Sequence, residues 1–407
     1  MMHDRSFDVA QKNSYYSADI HYALQMCQWA LKPIGIWPLV NNRATRLEQL
    51  VSIALLTFCY SALLFILIPS GRFIFFEGSI STKVGLFGPV GFCLSSTIKY
   101  ICLILKRTDF ERCIEHVERD WRTVQDQTHR SIMLKYSAFS RNLITLCAVF
   151  LFSGGISYHT IMQFLSKDKR QSNATVKPLA YPGYNAFFDS QSTPAYEFVF
   201  CIHFVTAMIM YTVTTGAYSL LAIFITHISG QIQIQLKRLE ELTNEKPEKD
   251  GHRNFFASIV YNHVEILRFS KIVQEALEEI CLTEVVECTI IMCMLEYYCI
   301  MSWRASDMVK VMTYLTLLIS FTFNIFIFCY IGEVLTEQCS QIGTLSYEID
   351  WYNLPAKKAH DLILLNVISQ NPPKLTAGKI IELSLNTFTV VVKTSVVYMN
   401  LLRTVTD

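Results

Sequence analysis

The chain has 407 residues, of which 52% are hydrophobic and only 17% charged, against about 25% charged in ordinary soluble domains. Its formal net charge is +1, which excludes the basic footprint of a nucleic-acid-binding protein. The apolar residues are gathered into blocks, and a helix needs roughly 20 mostly apolar residues to cross the hydrocarbon core, so the composition points to an all-α membrane protein.

In chain order, the polar opening MMHDRSFDVAQKNSYYSADI has no apolar run of the kind a signal peptide needs. The first hydrophobic helix is expected to act as the insertion signal. Seven segments reach or approach spanning length, at 47–69, 84–105, 141–165, 196–226, 279–302, 309–334 and 378–402, and residues 1–407 read as a single seven-transmembrane domain. Between them, DFERCIEHVERDWRTVQDQTHRSIMLKYS, HISGQIQIQLKRLEELTNE and FFASIVYNHVEILRFSKIVQEALEEICLTEVVE place apolar residues at helical spacing among charges. The spans are therefore expected to continue beyond the bilayer as a cytoplasmic anchor bundle. Breaks are expected at Pro247–Gly251 and at Asn371-Pro372-Pro373.

Charge sets the threading. With the N-terminus inside, the inner segments hold roughly 23 Lys and Arg against roughly 9 on the other side. This predicts a cytoplasmic N-terminus and an extracellular C-terminus. The same threading puts the sequon Asn173-Ala174-Thr175 outside, where glycosylation can occur.

Enzyme motifs are absent. GLFGPVGF in the second span lacks the Lys-Ser/Thr ending of a phosphate loop, and neither G-x-S-x-G nor H-E-x-x-H occurs. Gly85, Gly88 and Gly91 suit close helix packing or room for a ligand, and Pro89 suits a bend. Most of the 13 cysteines fall inside spans, and no Cys/His spacing suits zinc, so no metal or cofactor is expected. His159 and His203, near the outer ends of spans three and four, read either as packed histidines or as polar groups of a pocket.

The last span is unusual. At 100° per residue, Glu382, Asn386, Thr389, Lys393, Asn400 and Thr404 share a stripe about 60° wide. Lys393 falls roughly 14 Å inside the outer end, too deep for comfortable snorkelling, and intramembrane charges usually face a bundle interior or a water-filled cavity. Two readings stay open: a packed polar seam with Lys393 paired to Glu296 or Glu287, or a helix that lines or borders an ion path.

The run FIFCYIGEVLTEQCSQIGTLSYEIDWYNLPAKKAHDLILLNVISQNPPKLTAGKIIELSLNTFTVVVKTSVVYMNLLR resembles the C-terminal signature of the insect odorant receptors. The matching points are Cys329-Tyr330 with Gly332-Glu333, then Tyr347, Trp351-Tyr352 and Leu354-Pro355, followed by Gln370, Pro372, Leu375-Thr376-Ala377-Gly378-Lys379, Phe388 and Lys393-Thr394-Ser395. PLAYPGYNAFFDSQSTPAYEFVF is similar to that family's second outer loop.

The resemblance implies the ligand-specific subunit of an odorant-gated, non-selective cation channel in the plasma membrane of an olfactory neuron. Its partner would be an odorant co-receptor in a hetero-tetramer, with the inner bundle making most contacts between subunits. The second inner loop lacks the long insertion of the co-receptor, so a tuning subunit is implied. The seventh span would surround the pore, with Leu401 at the narrowest point and Thr404 and Val405 above it; Lys393 would then be an interior or interface charge. A gustatory receptor of the same superfamily is the nearer alternative, but its signature is shorter. A G-protein-coupled receptor would require the opposite threading, an outer disulfide, a D-R-Y and an N-P-x-x-Y, none of which fits this chain.

In the resemblance the odorant sits in the outer half of spans two to six. A small, mostly apolar ligand calls for an aromatic cage with few polar groups. The candidates are Phe87 and Phe92 on span two, and Phe150, Gly154, Tyr158 and Met162 on span three. Span four supplies His203 and Phe204, span five Tyr297 and Tyr298, and span six Tyr314 and Phe321.

Overall fold

The computed structural model describes residues 13–41, 44–77, 80–165, 179–244, 251–353 and 356–406. Helices α1 (Tyr16–Leu31) and α2 (Trp37–Val40) precede α3 (Arg46–Phe76). Thr45 and Glu48 start α3 with reciprocal bonds: the Glu48 amide donates to the Thr45 hydroxyl at 3.3 Å, and the Thr45 amide donates to the Glu48 carboxylate at 2.8 Å. Then come α4 (Ile80–Leu105), α5 (Arg107–Thr123), α6 (Gln127–Leu165), α7 (Ala195–Asn244), α8 (Gly251–Arg304), α9 (Met308–Glu348), α10 (Ala356–Ser369) and α11 (Leu385–Thr406).

Among the described residues, seven helices are long and apolar enough to cross a membrane: α3, α4, α6, α7, α8, α9 and α11. Six of them hold a predicted span whole and α11 holds most of the seventh, and the chain is a multi-pass membrane protein. The end at which α3 meets α4, α6 meets α7 and α8 meets α9 is called the upper end below. Helices α7 and α8 have 50 and 54 residues. That is about 75–80 Å of helix, more than twice the roughly 30 Å hydrocarbon core. Their lower halves, with α5, α1 and α10, form the expected helical extension.

The seventh span differs from its predicted limits of 378–402. Residues 376–382 form a short antiparallel hairpin, β1 (Thr376–Ala377) with β2 (Ile381–Glu382), in register Thr376↔Glu382 and Ala377↔Ile381. Gly378 and Lys379 both turn with positive φ, +59° and +61°, which a helix cannot contain. The hairpin is docked on α8: the Gly378 amide donates to the Glu278 carbonyl at 3.0 Å, and the Thr376 amide donates to the Gln274 side chain at 2.8 Å. Glu382 is therefore not part of the helical stripe, and it pairs with Lys374 at 2.9 Å.

The interior charges also pair differently from expectation. Lys99 of α4 is fully buried between Glu284 and Glu287 of α8, at 2.5 Å from each. Tyr218 of α7 donates to Glu284, and Ser95 to Glu287. Glu296 accepts from Ser395 of α11 at 2.9 Å. Neither predicted carboxylate partner is Lys393's. Val391, Ser395 and Met399 carry the buried face of α11, and Lys393 is exposed on the opposite one.

Candidate functional site

Near the upper end, α4, α6, α7, α8 and α9 leave a cavity of about 70 Å³ between aromatic rings. Glycines on α4 make the room: a Cβ added at Gly85 would meet nothing within 4 Å, and one at Gly88 would only touch Met294 and Tyr298 at 3.8 Å. Phe92 stands edge-on to Phe321 at 5.8 Å and packs on Tyr211 at 5.7 Å; Tyr298 packs on Tyr314 at 5.3 Å. The Tyr298 hydroxyl donates to the Val84 carbonyl, and that of Ser320 to the Phe150 carbonyl at 2.6 Å. The lining is mostly apolar, as a site for a small hydrophobic molecule should be.

Five predicted residues border this cavity: Phe92, Tyr158, Tyr298, Tyr314 and Phe321. Others are placed elsewhere. Phe87 and Phe204 are 47% and 38% exposed. Phe150 packs on Phe323 at 4.3 Å, and Tyr297 packs with Met399 of α11. Gly154 faces α9, where an added Cβ would crowd Leu317 and Ser320 at 3.3 Å. His203 is bonded to the Tyr184 hydroxyl at 2.9 Å and fixes the loop after α6. The side chains of Met162 and Val405, and the whole of Asn173, lie outside the described residues.

Sequence reasoning missed Gly155, Tyr181 and Tyr211, all on the cavity, where His159, read as either a packed histidine or a pocket group, also lies. A signal for Gly155 existed. Leu151, Gly155, Tyr158 and His159 recur at helical spacing on one face of α6, whereas Gly154 is turned 100° away. Gly155 is needed because a Cβ there would collide with the Tyr211 phenol. Tyr181 belongs to the loop, and its burial could not be read from periodicity.

The second notable surface is the free face of α11. Asn386, Thr389, Lys393, Asn400 and Thr404 are all exposed along it, with Leu401 beside them at 59% exposure. By contrast, the exposed face of α3 carries Leu50, Phe58 and Ile68, as lipid contact demands.

Comparison with known proteins agrees with this architecture. The family profile described as 7tm Odorant receptor matches residues 84–396. Odorant receptor 13a of Drosophila melanogaster is 24% identical over 56% of this chain and 62% of its own length. Odorant receptor 49a of the same fly is 21% identical over 49% of this chain and 50% of its own. The chain thus aligns with between half and two thirds of these relatives' lengths. The solved structure of the insect olfactory receptor OR5 from Machilis hrabei, in complex with eugenol, superimposes with a TM-score of 0.80, covering 96% of this chain and 100% of that one at 14% identity. That likeness establishes the fold, and the profile match over most of the chain establishes that it belongs to the 7tm odorant receptor family.

Proposed function

We propose that the chain is the ligand-specific subunit of an odorant-gated, non-selective cation channel, assembled with an odorant co-receptor as a hetero-tetramer. It would lie in the plasma membrane with its N-terminus inside. The observation that carries this reading is the aromatic cavity enclosed by five spanning helices at the upper end. The related receptor from Machilis hrabei was solved with eugenol, a small, largely apolar molecule of the kind such a cavity suits.

The polar face of α11 supports the channel half of the reading. Polar and charged side chains in a membrane turn towards a water-filled path or a protein neighbour, not towards lipid. In a ring of four subunits that face borders the central path, with Leu401 as the dry constriction and Thr404 and Val405 above it. Permeating cations would pass the Thr404 hydroxyls, which can stand in for hydration. Lys393 then belongs to the same outward stripe.

Tyr158→Ala tests the ligand site. Losing one aromatic contact is worth about 1–3 kcal/mol, or roughly 5- to 150-fold in affinity. Odorant dose–response curves of the co-expressed channel should shift right by that factor, with the maximal current retained. Unchanged curves across several active odorants would remove Tyr158 from the site.

A further inference from the structure

We infer that His159 is a hydrogen-bond donor to the ligand, and that the cavity therefore selects small apolar molecules carrying one acceptor oxygen, above all a ketone, aldehyde or ester carbonyl. The inference rests on reading the aromatic cavity as the ligand site.

His159 is 5% exposed and borders the cavity on α6. Its Nδ1 is held: the Gly155 carbonyl oxygen and the Tyr211 hydroxyl each lie 3.0 Å from it. Its Nε2, on the far edge of the ring, is buried with no hydrogen-bond partner. A buried polar atom left without a partner costs about 1–3 kcal/mol, so such an atom in a residue that borders a cavity calls for an explanation.

A neutral imidazole carries one proton, and there are two places for it. If Nδ1 carries it, Nδ1 donates to Gly155, the Tyr211 hydroxyl proton loses its acceptor at the ring, and Nε2 is left as an unmatched acceptor. If Nε2 carries it, Tyr211 donates to Nδ1 and a single N–H remains unmatched. The second arrangement leaves fewer hydrogen-bonding groups unmatched, although it sets the bare Nδ1 3.0 Å from the Gly155 carbonyl oxygen. It leaves an unmatched donor on a residue that borders the cavity, and a donor recognises an oxygen lone pair.

Two neighbouring hydroxyls do not offer the same service. The Ser320 and Tyr298 hydroxyls are already committed to the carbonyls of Phe150 and Val84. Around His159 the surroundings are rings, with Tyr158 edge-on at 5.3 Å and Tyr181 at 6.2 Å. A directional donor among rings fits an oxygen on an otherwise hydrocarbon skeleton.

The test compares shape-matched pairs: acetophenone against α-methylstyrene, and a straight-chain methyl ketone against the alkene in which a methylidene group replaces the oxygen. The full chain is co-expressed with an insect odorant co-receptor, and potency is read from evoked currents. Binding is read separately, as the shift in melting temperature of the purified receptor. The ketone of each pair should be favoured by about tenfold. His159→Phe should erase that preference, and His159→Gln, which keeps a donor, should retain part of it. Equal binding of ketone and alkene to the unaltered receptor overturns the inference, as does a preference that survives His159→Phe. If ketones bind preferentially but evoke no current, the channel reading fails and the role of His159 stands; if neither probe of either pair binds, the inference fails.

Discussion

The side chains that decide this protein's character are the polar ones it hides. Lys99 has 0% side-chain exposure and is held by two carboxylates that are themselves buried. Taking such ions out of water costs several kcal/mol each, and it is offset only where the pairing is close and the remaining oxygens have donors. Here Tyr218 donates to the remaining oxygen of Glu284, whereas Ser95 shares with Lys99 one oxygen of Glu287, whose other oxygen is buried without a partner. Lys99→Met should leave Glu284 and Glu287 facing each other without a cation, costing about 3–5 kcal/mol and strongly reducing surface expression. Adding Glu284→Gln and Glu287→Gln to Lys99→Met removes the stranded charges and should recover much of the expression. Equal surface levels of the single mutant and the wild type would mean that the cluster contributes nothing to folding. None of this was legible in the sequence beyond the presence of Glu287 in a span. Composition flags a charge inside a membrane helix, but the partner depends on rotation about α4 and α8, and the seventh-span lysine was the more conspicuous candidate. Aromatics were easier to place: Phe92 and Tyr158 could be assigned to the cavity from their level in the span, while Gly154 missed by one residue because level alone does not fix rotation.

Among the elements, α11 and α8 work together. Helix α8 borders the cavity with Met294 and Tyr298, and it grips α11 through the Glu296–Ser395 bond and the packing of Tyr297 on Met399. A ligand that moves the rings of α8 therefore pushes on the helix proposed to line the pore. The polar stripe on α11 was readable from the sequence at 100° per residue. Its direction was not, because a stripe seen in one chain faces a neighbour, lipid or water equally well until packing fixes the opposite face. The start of the helix was also misplaced, since Ile380, Ile381 and Leu383 make the stretch from Gly378 apolar enough to pass for the beginning of a span, and only the positive φ at Gly378 and Lys379 makes it a turn. Cysteines at positions 401 and 404 test the element. A water-soluble, positively charged thiol reagent applied during odorant-evoked current should reduce that current in both variants, and more at Thr404, which lies nearer the upper end. Normal surface expression with no reagent effect at either position would exclude α11 from the conduction path.

At the scale of the whole molecule, seven spans would place the two ends of the chain on opposite sides of the membrane, and the charge bias is the basis for proposing which is which. Lys and Arg concentrate in the segments joined to the long lower halves of α7 and α8, and retention of these charges on the cytoplasmic side is what orients a membrane protein during insertion. Under the proposed threading the upper end would face outward, where a volatile ligand would arrive. It holds the cavity and the loop carrying Tyr181 and Tyr184, both buried. Spanning number, helix extension and threading could all be argued from the sequence, because they depend on hydropathy and net charge and not on side-chain rotation. The threading is open to direct test. Epitope tags placed at each terminus should be stained by antibody in unpermeabilised cells only at the C-terminus, and both should stain after permeabilisation. The sequon gives an independent reading: a glycosidase should increase gel mobility, and Asn173→Gln should abolish that change. Surface staining of the N-terminal tag would invert the proposed arrangement, put the cavity on the cytoplasmic side and separate it from any airborne ligand.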